Sequence, residues 1–215
     1  MTEVRNLTEP IEFHAGEGGR IMAIGHAARF DKLSQDLGGF VERIKPGAFK
    51  KTLKEADVRA LFNHDPHLVL GRSTSGTLRL AEDSEGLAYE IDLPDTTTGR
   101  DVATLLERGD ISGSSFGFRA IDDAWDETDD GFPRRTLKEV ALRDVGPVTF
   151  PAYVDASSAI RSLAEARALD YEVLAAAASA NKLSEALRAS GTEDEDQEDG
   201  GREALTIVRR SAHIF

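Results

Sequence analysis

No cysteine occurs among the 215 residues. That absence excludes a disulfide framework, a cysteine nucleophile and thiolate zinc sites, and it fits a reducing compartment. Nor is there a run of about 18 apolar residues, or an N-terminal basic segment leading into an apolar stretch. The expectation is a soluble, cytoplasmic protein with no membrane partner. Positive charge is also scarce: 26 Lys and Arg stand against 39 Asp and Glu, for a net charge of -13. Phosphate binding depends on lysine and arginine displacing counterions, so this balance argues against nucleic acid as a partner. Much of the excess is local, because Glu193, Asp194, Glu195, Asp196, Glu198 and Asp199 form one acidic block, read as a solvated, disordered segment. Regular strand–helix alternation and internal repeats are missing, which sets aside a doubly wound parallel sheet.

What is present is enough apolar sequence for one good core plus a tail. Ile21 to Phe30 is strand-like and is followed by a polar loop. Pro46 suits the first turn of a helix reaching about Ala56, with Phe49 and Leu53 facing a core. Val58 to His64 alternates as a strand. A hairpin sets Leu78 and Leu80 against Leu87, Tyr89 and Ile91, with its turn at Asp83 to Gly86. A helix over Thr98 to Arg108 ends at Gly109, a suitable left-handed cap. A strand follows from Ile111. The acidic stretch Asp122 to Pro133, with the single tryptophan Trp125, reads as a hairpin loop. Thr136 to Phe150 is a strand pair or one long bent strand broken near Gly146-Pro147. Ala156 to Ala189 favours one or two helices. The order of elements gives an α+β or mostly β domain.

Within this frame Ile111 to Phe118 stands out. Side chains alternate along a strand, so Gly113, Ser115 and Gly117 share one face, while Ser114, Phe116 and Phe118 share the other. Ser115 is then accessible in a groove and Ser114 is packed beside the aromatics. A serine hydroxyl needs a base to take its proton, and the base needs a third group to orient it. His64 ends the apolar face of Val58, Ala60 and Phe62, where a held, partly desolvated imidazole suits a general base. Asp144 falls in register with Val140 and Leu142, where a carboxylate is costly unless paired, and a neighbouring histidine provides that pairing. His14 and His26 are alternative third members. The pair His64 and His67 is a poor metal site, since Pro66 breaks helical spacing and no further close ligand follows. Gly113 to Gly117 also matches the G-x-S-x-G elbow of esterase-like hydrolases, which requires a helix directly after the serine. The sequence does not identify the oxyanion donors; the backbone amides of Phe116 to Arg119 and the Arg119 side chain are the candidates nearest the serine in the chain.

Over about Ile21 to Ala156 the chain resembles the tailed-phage (caudovirus) prohead serine proteases, a family related to the herpesvirus assemblins. The resemblance rests on Phe40 to Phe49 (FVERIKPGAF), on Leu61 to Asp65 (LFNHD) with Leu70-Gly71, on Ser114 to Phe118 (SSFGF) and on Asp144 to Ala152 (DVGPVTFPA), in that order and spacing. It implies the catalytic residues His64, Ser115 and Asp144. Many relatives carry a glutamate followed two residues later by serine where this chain has Asp144 and Gly146. In assemblins the third member is a histidine. The implied fold is α+β: a mostly antiparallel β-barrel core surrounded by helices, over a catalytic domain at 1–156. A helical region at 157–190 and an acidic tail at 191–215, expected to be disordered, complete the chain. The implied activity is endoproteolysis of scaffold or of the scaffolding segment of the major capsid protein precursor, together with self-processing. The setting is the assembling procapsid in the host cytoplasm or the cytoplasm of a bacterium carrying the prophage. No cofactor is implied, and a homodimer is compatible. The competing readings are an inactive, scaffold-like assembly protein of the same fold and an esterase-like hydrolase.

Overall fold

Period-two patterning and turn chemistry build ten strands in the computed structural model, which describes residues 2–15, 20–150 and 157–191. In chain order the strands are β1 (Glu3–Leu7), β2 (Glu12–Ala15), β3 (Ile21–Arg29), β4 (Val41–Ile44), β5 (Arg59–Leu61), β6 (Val69–Arg72), β7 (Leu78–Glu82), β8 (Gly86–Leu93), β9 (Gly113–Glu127) and β10 (Pro133–Val148). The helices are α1 (Lys50–Glu55), α2 (Thr97–Arg108), α3 (Ser157–Arg167), α4 (Tyr171–Ser179) and α5 (Leu183–Gly191). The fold is α+β.

Six strands form one sheet, in the order β1-β9-β10-β5-β6 with β4 also pairing β10, and four form a second, in the order β2-β3-β8-β7. An isolated bridge between Phe30 and Ile44 joins the two. The expected barrel does not close among the described residues, because the first sheet ends on β1 and β6 and the second on β2 and β7. The two sheets instead enclose a common core. Phe116, Phe118, Leu142 and Val145 contribute from the first, Ala23, Leu87, Tyr89 and Ile91 from the second. Phe116 lies 5.0 Å from Phe118 and 5.7 Å, edge-on, from Phe49, centroid to centroid. Truncating such a buried ring costs about 3–5 kcal/mol.

Local chemistry explains the connections. Asp83 closes the β7–β8 turn by accepting from the amides of Glu85 (2.7 Å) and Gly86 (2.8 Å), an Asx-type turn. Thr96 caps α2 through the Gly99 amide, and Gly109 ends it in the left-handed conformation. The helix expected from Pro46 begins at Lys50, since residues 46–49 form turns. It is anchored by the Thr52 hydroxyl, which accepts from the Leu142 amide at 3.0 Å. The acidic stretch expected to be a loop is mostly strand, because β9 runs to Glu127 and β10 starts at Pro133. The region expected to hold one or two helices holds three. Their apolar faces gather Ile160, Leu163, Leu174 and Leu183 around Phe40, with Trp125 packed alongside. The Trp125 indole stands 5.1 Å from the Phe40 ring and donates to Ser162 Oγ at 3.1 Å. The acidic block and the segment after it lie outside the described residues.

Candidate active site

Alternation along β9 places Ser114 and Ser115 on opposite faces, and their partners differ accordingly. Ser114 faces the core and shares a 2.7 Å hydrogen bond with the Tyr89 hydroxyl of the other sheet. Burial pushes the Tyr89 phenol well above its ordinary pKa, and the Ser114 hydrogen bond only partly opposes that, so Tyr89 stays protonated. Ser115 faces the opposite side, 2.6 Å from His64 Nε2. The other nitrogen of that imidazole, Nδ1, is hydrogen-bonded to Asp144 Oδ1. Three residues separated by up to 80 positions therefore form one continuous chain, Asp144–His64–Ser115.

Two of the three arrive by routes that simple alternation does not describe. β5 ends at Leu61, so His64 stands on a turn and not on a strand face. Asn63 and His64 are both left-handed, at φ 53° and 58°, a conformation rarely adopted by such residues and common at functional sites. Tertiary hydrogen bonds hold it. The Asn63 amide donates to the Pro147 carbonyl at 3.1 Å, its Oδ1 accepts from the Thr149 amide at 2.8 Å, and its Nδ2 donates to Thr149 Oγ1 at 3.1 Å. Asp144 is displaced by a β-bulge. Leu142 pairs with Phe118 and Asp144 with Gly117, so Arg143 is the extra residue. The extra residue reverses the side-chain alternation. Asp144 thus leaves the core face of Leu142 and joins the face of Gly117 and Ser115, where it is 4% exposed. Gly117 makes room for it: a Cβ there would lie 2.7 Å from Asp144 Oδ2.

The alternative third members lie elsewhere. His26 is bonded to Asp83 at 2.7 Å, and His14 to Glu12 at 3.0 Å, both on the second sheet. Arg119 is exposed and lines surface clefts whose walls include neither Ser115 nor His64. The elbow geometry is absent too, since β9 continues well past Ser115.

The groove expected above Ser115 is filled. Ser115 is 0% exposed. β1 pairs antiparallel with β9, setting Asn6 opposite Ser115, and the Ser115 hydroxyl donates to the Arg5 carbonyl at 2.9 Å. An unpaired strand edge is a template for another strand, and here the chain's own N-terminal segment takes it. Residues 3–7 carry little strand signal in the sequence, because the apolar Val4 and Leu7 are separated by Arg5 and Asn6 and so break a period of two. β1 is tied down by buried charge. Arg5, Glu3, Glu42 and Arg135 are all under 7% exposed and mutually bonded, and Asp123 accepts from Arg135 Nε at 2.6 Å. Burial disfavours the charged Arg135 guanidinium, but Glu3, Glu42 and Asp123 around it more than compensate and keep its pKa above the ordinary value.

No curated protein matches the chain at a significant level. Among solved structures the fold is similar to the bacteriophage T4 capsid assembly protease, with a TM-score of 0.49 and 12% identity, over 70% of this chain and 98% of that one. The sequence model of the caudovirus prohead serine proteases matches residues 9–169. That span is more than half of the chain and contains His64, Ser115 and Asp144, and the chain accordingly belongs to the caudovirus prohead serine protease family.

Proposed function

We propose that this protein is a serine endopeptidase of procapsid maturation in which Ser115 is the nucleophile, His64 the general base and Asp144 the group that orients and charge-stabilises His64. The observation that carries the reading is the unbroken hydrogen-bonded chain from Asp144 through His64 to Ser115. In the reaction Ser115 Oγ bonds to the carbonyl carbon of the scissile peptide as His64 Nε2 takes the hydroxyl proton. The imidazolium so formed is stabilised by Asp144, then passes that proton to the leaving amine nitrogen as the C–N bond breaks. Water, deprotonated by the same imidazole, releases the acyl group and regenerates the serine.

The resting arrangement bears on this cycle. The Ser115 hydroxyl has one proton, and the Arg5 carbonyl and His64 Nε2 both lie within reach of it. While β1 holds its place, the chain's own carbonyl competes with the base for the proton and excludes other substrates. A carbonyl of the chain already at the serine supports self-processing. The substrates in this reading are the major capsid protein precursor and scaffold, within the procapsid. Catalysis needs no cofactor, a second copy of the chain is compatible, and nucleic acid and membrane are not partners. The relationship to assemblins belongs to the same reading.

Co-expression with the cognate capsid and scaffold proteins, followed by mass measurement of every chain, tests the reading. Wild type is expected to shorten the capsid precursor or scaffold, and Ser115→Ala and His64→Ala to leave both intact. The double variant should be no worse than either single one, because the residues act as a unit. Processing by Ser115→Ala at the wild-type rate overturns the nucleophile assignment. A folded wild type that leaves all partners intact would favour the inactive assembly protein.

A further inference from the structure

β1 meets Ser115 in the way an extended substrate adds to a strand edge, with main-chain pairing setting position and alternate side chains entering pockets. The carbonyl at the serine is that of Arg5, so the peptide bond presented is Arg5–Asn6. The side chain just before that bond enters a site made for a guanidinium. Arg5 Nε donates to Glu42 Oε1 at 2.8 Å and Nη2 to Glu42 Oε2 at 3.0 Å, a two-point fork. The same guanidinium lies over the Phe118 ring, 5.5 Å from its centroid. Two residues earlier, Glu3 accepts from Arg135 through both carboxylate oxygens, at 2.7 and 3.2 Å. Arg135 is itself held by Asp123 and Glu42.

As a purely structural device this arrangement is poorly chosen, because a buried ion cluster gives little or no net stability over apolar packing. It is well suited to discrimination, since a buried charge strongly rejects an occupant that leaves it unpaired. Without β1 the socket keeps Glu42, Asp123 and Arg135, a net negative charge beside an aromatic face with one guanidinium deeper in. That remainder calls for a cationic residue next to the serine and an anionic residue two positions before that cation in the substrate.

We propose that Glu42 and Arg135 are the specificity-determining residues of the substrate groove, Glu42 reading an arginine immediately before the scissile bond and Arg135 a glutamate two residues before that arginine. The segment Glu3-Val4-Arg5 is the chain's own copy of the recognised sequence. This rests on Ser115 being the nucleophile.

The test uses the full-length protein and fluorogenic peptides containing Glu-Val-Arg-Asn-Leu, the same with citrulline replacing arginine, and the same with glutamine replacing glutamate. Wild type should prefer the arginine peptide over the citrulline peptide by about 10²-fold or more in kcat/KM, and the glutamate over the glutamine peptide by about 10-fold. In Glu42→Gln the arginine preference should collapse below about 10-fold. Equal cleavage of the arginine and citrulline peptides by wild type overturns the proposal without any variant having to fold. Serine-dependent processing of the capsid precursor with no cleavage of the arginine peptide also overturns it, while leaving Ser115 in its role. Cleavage that persists in Ser115→Ala removes the reading beneath it as well.

Discussion

Gly117→Ala adds one methyl group beside the Asp144 carboxylate and leaves all three proposed catalytic residues in place. The new Cβ would stand 2.7 Å from Asp144 Oδ2 and 3.3 Å from Oδ1, whereas ordinary contact begins at 3.4 Å. The carboxylate must therefore move by about 0.7 Å, because β9 is held on one side by β1 and on the other by β10. Misplacement on the order of 1 Å costs about 10²-fold in rate, and full loss of histidine orientation about 10⁴-fold. Gly117→Ala is expected near the lower figure. Overpacking costs about 1–3 kcal/mol, partly offset by the roughly 0.5–1 kcal/mol gained when alanine replaces glycine in a strand, so the protein should remain folded. Gly113→Ala is the matched control, on the same face of the same strand, with its nearest neighbour 3.6 Å away. Capsid-precursor cleavage and thermal melting are measured on both variants. If Gly117→Ala cleaves as fast as Gly113→Ala while both are folded, the argument that Gly117 exists to seat Asp144 is wrong.

Asp144→Asn should keep the fold and lower turnover by about 10³ to 10⁴, through loss of the correct histidine tautomer. Near-complete activity in that variant, with none in His14→Ala or His26→Ala, would move the third role to a histidine. Ser114→Ala should leave turnover near wild type yet cost about 1–2 kcal/mol, because it strands the buried Tyr89 hydroxyl, and adding Tyr89→Phe should recover most of the loss. Denaturant titration reads this directly, and a double variant no more stable than Ser114→Ala would count against the pairing. For Asp83, burial alone would raise the carboxyl, but hydrogen bonds from His26 and from the Glu85 and Gly86 amides outweigh it and hold the pKa at about 2. A depressed carboxyl stabilises the fold above its unfolded pKa of about 4 and loses that contribution as pH falls from 4 to 2. With this side chain partly in water the amount is about 1 kcal/mol after screening. The stability gap between wild type and Asp83→Asn should therefore shrink over that range, and a gap that stays constant would exclude the linkage.

The sequence alone determined what depends on short-range periodicity. The division of Ser114 from Ser115, the hairpin turn at Asp83, the α2 helix with its Gly109 cap and the choice of His64, Ser115 and Asp144 as candidate site residues all follow from residue type and from alternation within one element. Tertiary structure decided what depends on partners. Alternation set Asp144 on the face of Leu142, and only the bulge at Arg143, created by pairing with β9, turned it toward Ser115. Continued alternation placed His64 at a strand end, whereas contacts from Asn63 to Pro147 and Thr149, more than 80 residues away, hold its left-handed turn. The open groove expected over Ser115 is closed by β1, whose Arg5 carbonyl comes from 110 positions earlier in the chain. Side-chain direction along a strand is a local property, and a pattern of two reveals it. Register shifts, left-handed backbone and the strand that fills an edge are set by hydrogen bonds to distant residues, which no local pattern encodes.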